Sequence, residues 1–321
     1  MTQAIGRGTR RLRAGVLAAA LAVIGAQAGA ADDASCRMVR LADIGWSDIA
    51  AANGLFSVVL EALGYQPTVT TAALPIAMAG MKNRQIDVFL GYWKPSMTAV
   101  VEPVVREGQV QVLATPILAD ARYTLAVPRH LHDRGLKDFA DIVRFEKELE
   151  GRIHGIEPGS ESNAQIQGMI RDNRFGLRNF TLVEASEADM LAQVQRASRS
   201  RKAIVFLGWE PHPMNVQFKI NYLGGGDAVF GPNQGAAQVH AVVASGYLQR
   251  CPNAAALLSN LRLSAEMSSR VMVPILERGR PHAAARAYLQ KNPAVVVPWL
   301  AGVTTLDGQD ALAAVTAALQ K

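Results

Sequence analysis

Three tryptophans of this chain share one setting. Ile44-Gly45-Trp46, Leu90-Gly91-Tyr92-Trp93 and Leu207-Gly208-Trp209 each set an indole just past an apolar run, after a glycine. Such runs read as buried strands, and in open α/β sheets ligands bind beyond the carboxyl ends of the strands. Glycine lets the chain turn sharply there and leaves room beside its backbone. Aromatic rings that converge on one place offer their faces to a cation, each face worth about 0.5–2 kcal/mol. A quaternary ammonium suits such walls, because it has no N–H to give to a hydrogen-bond acceptor. Tyr123, in Arg122-Tyr123-Thr124 at a strand edge, adds a fourth ring. Taken singly, each Trp also suits a hydrophobic core; the threefold repetition of the pattern favours one pocket. Trp299, in Pro298-Trp299-Leu300, lacks the pattern and reads as core.

Two polar stretches can complete such a pocket. Asp48, two residues past Trp46, can oppose a cation, cap the helix that begins there, or do both. Pro158-Gly159-Ser160-Glu161-Ser162-Asn163 precedes a helical stretch, whose free N–H groups suit the polar tail of a ligand. Glu161 opposes an anionic tail, and a capped helix start without ligand contact fits these residues equally well. Other constellations are weak. His130-x-His132 has no acidic partner at metal spacing, and His212 lies between prolines beside the third Trp motif. No H-E-x-x-H, G-x-S-x-G or Walker A pattern occurs, so neither a metal nor another cofactor is expected.

The elements that must position these residues alternate. Strands are predicted at 39–44, 68–71, 86–90 and 110–114, with helices at 48–63, 76–84 and 99–107 between and after them. A second series follows: strands at 123–127, 152–156, 181–183 and 203–207, with helices at 136–149, 162–171 and 188–199. Further strands are predicted at 218–223 and 239–244, and the end of the chain reads as helical. This rhythm predicts an α/β fold with mostly parallel, helix-covered sheet.

The chain has 321 residues, half of them hydrophobic and 19% charged, which excludes wholesale disorder and fibrous designs. The net charge of +6 invites an anionic partner, but four of the arginines lie at positions 7, 10, 11 and 13. A small-residue apolar run and Ala28-Gly29-Ala30 follow them. Residues 1–30 therefore read as a cleaved secretory signal, with Arg10-Arg11 leaving twin-arginine export open. The remaining charge says little about partners; no nucleic acid is expected, and the exported protein is expected to be soluble and monomeric. The only two cysteines, Cys36 and Cys251, are most simply a disulfide in an oxidising compartment, two free thiols being the alternative. Such a bridge closes a loop worth about 4–5 kcal/mol in the chain-entropy model.

With Gly45-Trp46-Ser47-Asp48, Gly91-Tyr92-Trp93-Lys94-Pro95 and Gly208-Trp209-Glu210-Pro211-His212-Pro213-Met214, the chain resembles the substrate-binding proteins of ABC transporters for choline and glycine betaine. The likeness is greatest to the choline-type branch and spans about Cys36 to Ala313. It implies a two-lobed type II periplasmic-binding fold with two crossings, the first lobe being residues 32–117 plus 214–321 and the second 118–213. It implies that Trp46 and Trp93 come from one lobe, that Tyr123 and Trp209 come from the other, and that Asp48 faces the ammonium. Ser160 and Asn163 would meet the polar tail, although the choline-type branch tends to carry Asn where this chain has Ser160. The resemblance also supports the Cys36–Cys251 bridge. It implies a periplasmic location, a transmembrane permease as partner and no catalysis. Choline is expected first, with glycine betaine or carnitine as the alternatives. A secreted hydrolase of choline esters or phosphocholine is the reading from another class, and no convincing nucleophile and base support it.

Overall fold

A computed structural model of the chain describes residues 1–4 and 32–321, so the expected export signal, but for its first four residues, lies outside the described residues. Among the described residues ten strands form: β1 Met38–Asp43, β2 Gln66–Thr71, β3 Val88–Lys94, β4 Val110–Val112, β5 Leu118–Pro128, β6 Arg152–His154, β7 Thr181–Val183, β8 Phe206–Glu210, β9 Ile220–Tyr222 and β10 Ala236–Ala244. They fall into two halves of one design. The first runs β2-β1-β3-β10-β4 and the second β7-β6-β8-β5-β9. In each half three strands are parallel, and a long strand, β10 in the first and β5 in the second, runs antiparallel to the third. The long strands β5 and β10 pair with each other at Ala121 and Ala237, and so carry the chain between the halves. This is the two-lobed α/β fold with two crossings.

The sequence explains the layers. β1 and β3 carry Val39, Leu41, Val88, Phe89 and Leu90, all buried, as strands covered on both faces require. Helix Ser47–Ala62 lies over them and packs closely on helix Pro281–Lys291. Gly54 permits that approach, since a Cβ there would stand 2.6 Å from the Pro281 carbonyl oxygen. At the start of the described chain, Asp32 accepts the N–H groups of Asn253 and Ala254 and so caps helix Pro252–Asn260. Beside it the sulfurs of Cys36 and Cys251 lie within bonding reach of each other. Among the described residues no helix is long and apolar enough to cross a membrane.

Four expectations change. The sheet is not mostly parallel: four strand pairings are parallel and five antiparallel, because β5 and β10 run against their neighbours. The stretch 136–149 is not an α-helix but a short 3₁₀ helix, Phe139–Phe145. Its buried residues Phe139, Ile142 and Phe145 recur every third position, which matches three residues per turn. Residues 214–230 remain with the second half instead of returning to the first. β9 pairs with β5, and Phe230 packs on Tyr123 and Phe139 at ring distances of 5.2 and 5.7 Å. Finally, only Trp46 lies past its strand; Trp93 and Trp209 lie inside β3 and β8.

Candidate functional site

The glycines of the three motifs work in two ways. Gly45 has φ +90° and turns the chain out of β1, which sets Trp46 at the first position before helix Ser47–Ala62. Gly91 and Gly208 are inside strands and serve close packing. A Cβ at Gly91 would overlap Ile49 of that helix, and one at Gly208 would press on Ala126 at 3.0 Å. β3 and β8 can therefore run on with their indoles standing off the sheet. In the second half Tyr123 lies directly opposite Trp209 across β5 and β8.

These side chains meet. Trp46, Trp93, Tyr123 and Trp209 line one small cavity, together with Ser96, Ile156, Ser162 and Leu207. Two rings come from the β1/β3 half and two from the β5/β8 half. The rings of Trp46 and Trp209 face each other across the halves, with centroids 6.4 Å apart and planes inclined by 26°. No lysine, arginine or histidine lines the cavity among the described residues.

Each ring is held from behind. The Trp93 indole N–H donates to Asp48 Oδ2 at 2.9 Å. The Trp46 indole N–H crosses to the other half and donates to Glu157 Oε1 at 2.9 Å. The Tyr123 hydroxyl donates to the Gln165 side-chain oxygen. Trp209 packs edge-on against the His212 ring at 5.0 Å. Its own indole nitrogen is buried without a protein partner, as is Asp48 Oδ1.

The surroundings are acidic. Burial, and then the nearby Glu187 charge, push the Asp48 carboxyl up to about 7. Glu157 is raised first by its own burial, with Glu187 adding a smaller push, and Asp43 is raised in the same way. A cation placed among these groups would favour their charged forms.

The remaining expected residues are placed differently. Asp48 does not line the cavity; it stands behind Trp93. Ser160 caps helix Glu161–Arg171 through its Oγ, which accepts the Asn163 N–H at 3.3 Å. It lines an adjoining cleft with Trp46, Glu157, Glu161 and Ser162. Asn163 is buried and fully used by the protein. Its Oδ1 accepts from Ile156 N, and its Nδ2 donates to Ile156 O, Glu157 O and Glu184 Oε1. It therefore fastens the turn before the helix and has no group free for a ligand. Trp299 is buried elsewhere, its N–H given to Arg262 O.

Sequence reading missed Glu157 and Glu187, which act on the rings from outside the motifs. The Glu157-Pro158-Gly159 turn beside the polar stretch was a signal for the first. Nothing marked Glu187 beyond a place in the first turn of its helix.

A family model described as the substrate binding domain of ABC-type glycine betaine transport systems matches residues 37–291. The chain superposes with a TM-score of 0.86 on an ABC-transporter choline binding protein in complex with choline, at 48% identity over 90% of this chain and 100% of that one. Against an unliganded, semi-closed choline binding protein the TM-score is 0.80, at 48% identity over 89% of this chain and 100% of that one. The glycine betaine/carnitine transport binding protein GbuC of Listeria monocytogenes is 30% identical over 200 residues, 62% of this chain and 64% of that protein. Within this chain the Trp46 indole N–H bonds Glu157 and the Ser47 N–H bonds Glu187, so the two halves are hydrogen-bonded to each other across the cleft.

Proposed function

This chain belongs to the family of substrate-binding domains of ABC-type glycine betaine transport systems, and from that premise we propose that it captures choline between its lobes. The observation that carries the reading is the cavity walled by Trp46, Trp93, Tyr123 and Trp209 with carboxylates behind it and no base in its lining. Trimethylammonium fills such a box through cation–π contacts, which gain when the site is desolvated. Asp48 and Glu157 act through the rings they hold: a carboxylate on an indole N–H makes the indole face more negative.

The same features favour choline over glycine betaine and carnitine. A carboxylate tail would meet Glu157 and Glu161 in the adjoining cleft, with no lysine or arginine among the residues lining it. The hydroxyl tail of choline carries no charge and meets no such repulsion. Ser160 borders the path of the tail from the cleft side.

Catalysis is not this family's work, and the geometry gives a hydrolase no support. Ser47, His212 and Glu187 are close neighbours, but the Ser47 hydroxyl and Glu187 share the same ring nitrogen, Nε2. His212 Nδ1 accepts the Met214 N–H, so no acid holds that side and no proton relay forms.

By the same reading the protein is exported to the periplasm as a soluble monomer, Cys36 and Cys251 form a disulfide there, and the closed form docks on a transmembrane permease. The lobes divide as about 32–117 plus 236–321 and 118–235, because β9 and Phe230 pack in the second half. Calorimetric titration tests the function: choline is expected to bind with micromolar or tighter affinity, and absence of binding would overturn the proposal.

A further inference from the structure

Helix Ser47–Ala62 begins with no cap of its own. The residue before it is Trp46, which offers no side-chain oxygen, so the first N–H groups depend on an outside acceptor. That acceptor comes from the other lobe. Glu187, at the start of helix Glu187–Ser200, takes the Ser47 N–H on Oε2 at 2.8 Å and the Ser47 hydroxyl on Oε1 at 2.6 Å. His212 Nε2 also lies 3.1 Å from Oε1. Since Nδ1 accepts from Met214 N, the ring proton is on Nε2 and points at the carboxylate. Ser47, Glu187 and His212 are all buried, and none of them lines the aromatic cavity.

We propose that Glu187 is an interlobe latch, which stabilises the closed protein through contacts the ligand never touches. This rests on the reading of ligand capture by lobe closure. The latch is placed to control the box. Ser47 follows Trp46 in the chain, and the His212 ring packs on Trp209 at 5.0 Å. One carboxylate thus ties together the supports of two rings that face each other across the cleft. In the open protein the Ser47 N–H loses this acceptor, which sits on the positive end of the helix dipole. Closure restores two charge-assisted hydrogen bonds at once, both from Ser47, so the latch acts on the rate of opening more than on the rate of encounter.

The test uses the full exported chain with Glu187→Ala and Ser47→Ala. Small-angle scattering of the ligand-free protein reads closure, and stopped-flow tryptophan fluorescence reads choline release. With Glu187→Ala the ligand-free protein should expand and choline should leave at least about ten-fold faster, its on-rate changing by less than about three-fold. Ser47→Ala, which removes only the hydroxyl, should shift both readouts in the same direction by a smaller amount, and it decides the matter if Glu187→Ala does not fold. Native scattering and release within about two-fold for both variants would overturn the latch. If the native protein does not bind choline, the functional reading falls, while the ligand-free scattering comparison still decides whether Glu187 holds the lobes together.

Discussion

Replacing Trp209 by leucine separates the attraction of a charge from ordinary apolar burial. Trp209 is only 6% exposed, lines the cavity and faces Trp46, so its ring acts in a desolvated setting. A desolvated cation–π contact is worth about 2 kcal/mol, and about 1.4 kcal/mol corresponds to a factor of ten. Leucine keeps an apolar wall but has no ring quadrupole, so choline should bind about 30-fold more weakly. The uncharged carbon isostere of choline, 3,3-dimethylbutan-1-ol, has the same shape without the charge and should lose only about three-fold, through packing. Calorimetry of native and variant chains with both compounds, the weaker one by displacement, gives the two ratios. Equal losses for the cation and its isostere would refute the reasoning, because the indole would then be serving only as apolar surface.

Choline affinity should depend on pH through Asp48. Its carboxyl, raised to about 7, is charged above that pH and neutral below it, so affinity should fall from pH 8 to pH 5.5 and binding near pH 7 should release protons. Asp48→Asn should flatten the profile, and a profile unchanged by that variant would contradict the role. For the ligand-free fold the sign is opposite. A carboxyl raised from 3.8 to about 7 contributes stability that is present below about pH 4 and is lost as pH rises through 7, which thermal melts of the Asp48→Asn variant check. Asn163→Ala should lower stability by about 2–4 kcal/mol, since it strips the buried turn at Ile156 and Glu157 of its partner. The folded fraction of that variant should bind choline nearly as the native chain does, which calorimetry at low temperature reads. Reduction of the Cys36–Cys251 pair should lower stability by up to about 4–5 kcal/mol, measured by denaturant unfolding with and without reductant.

The walls of the site were legible because aromatic residues after glycines at strand ends leave a mark in the chain. All four rings singled out meet in one cavity. The reason was only partly right: Gly45 makes a turn, whereas Gly91 and Gly208 are narrow places inside strands that let Ile49 and Ala126 come close. A sequence shows that a glycine is present but not which neighbour it makes room for. Alternation of strands and helices revealed the α/β fold, and its failure at 136–149 came from a three-residue apolar period read as a helical one. The 213/214 division failed because β9 is three residues long, and its membership depends on pairing with β5 across about a hundred residues of chain. Asn163 looked like a ligand contact by position, and only the backbone groups of Ile156 and Glu157 show where its side chain is used. Glu157 and Glu187 reach their partners across the cleft, a relation no local spacing records.

The central claim is that an aromatic box with a carboxylate surround holds a cation and disfavours an anionic tail. A single calorimetric series at pH 8 with choline, glycine betaine and carnitine tests it most directly. Choline should bind with micromolar or tighter affinity, and the two carboxylated compounds at least about ten-fold more weakly. Tighter binding of glycine betaine or carnitine than of choline would contradict the account.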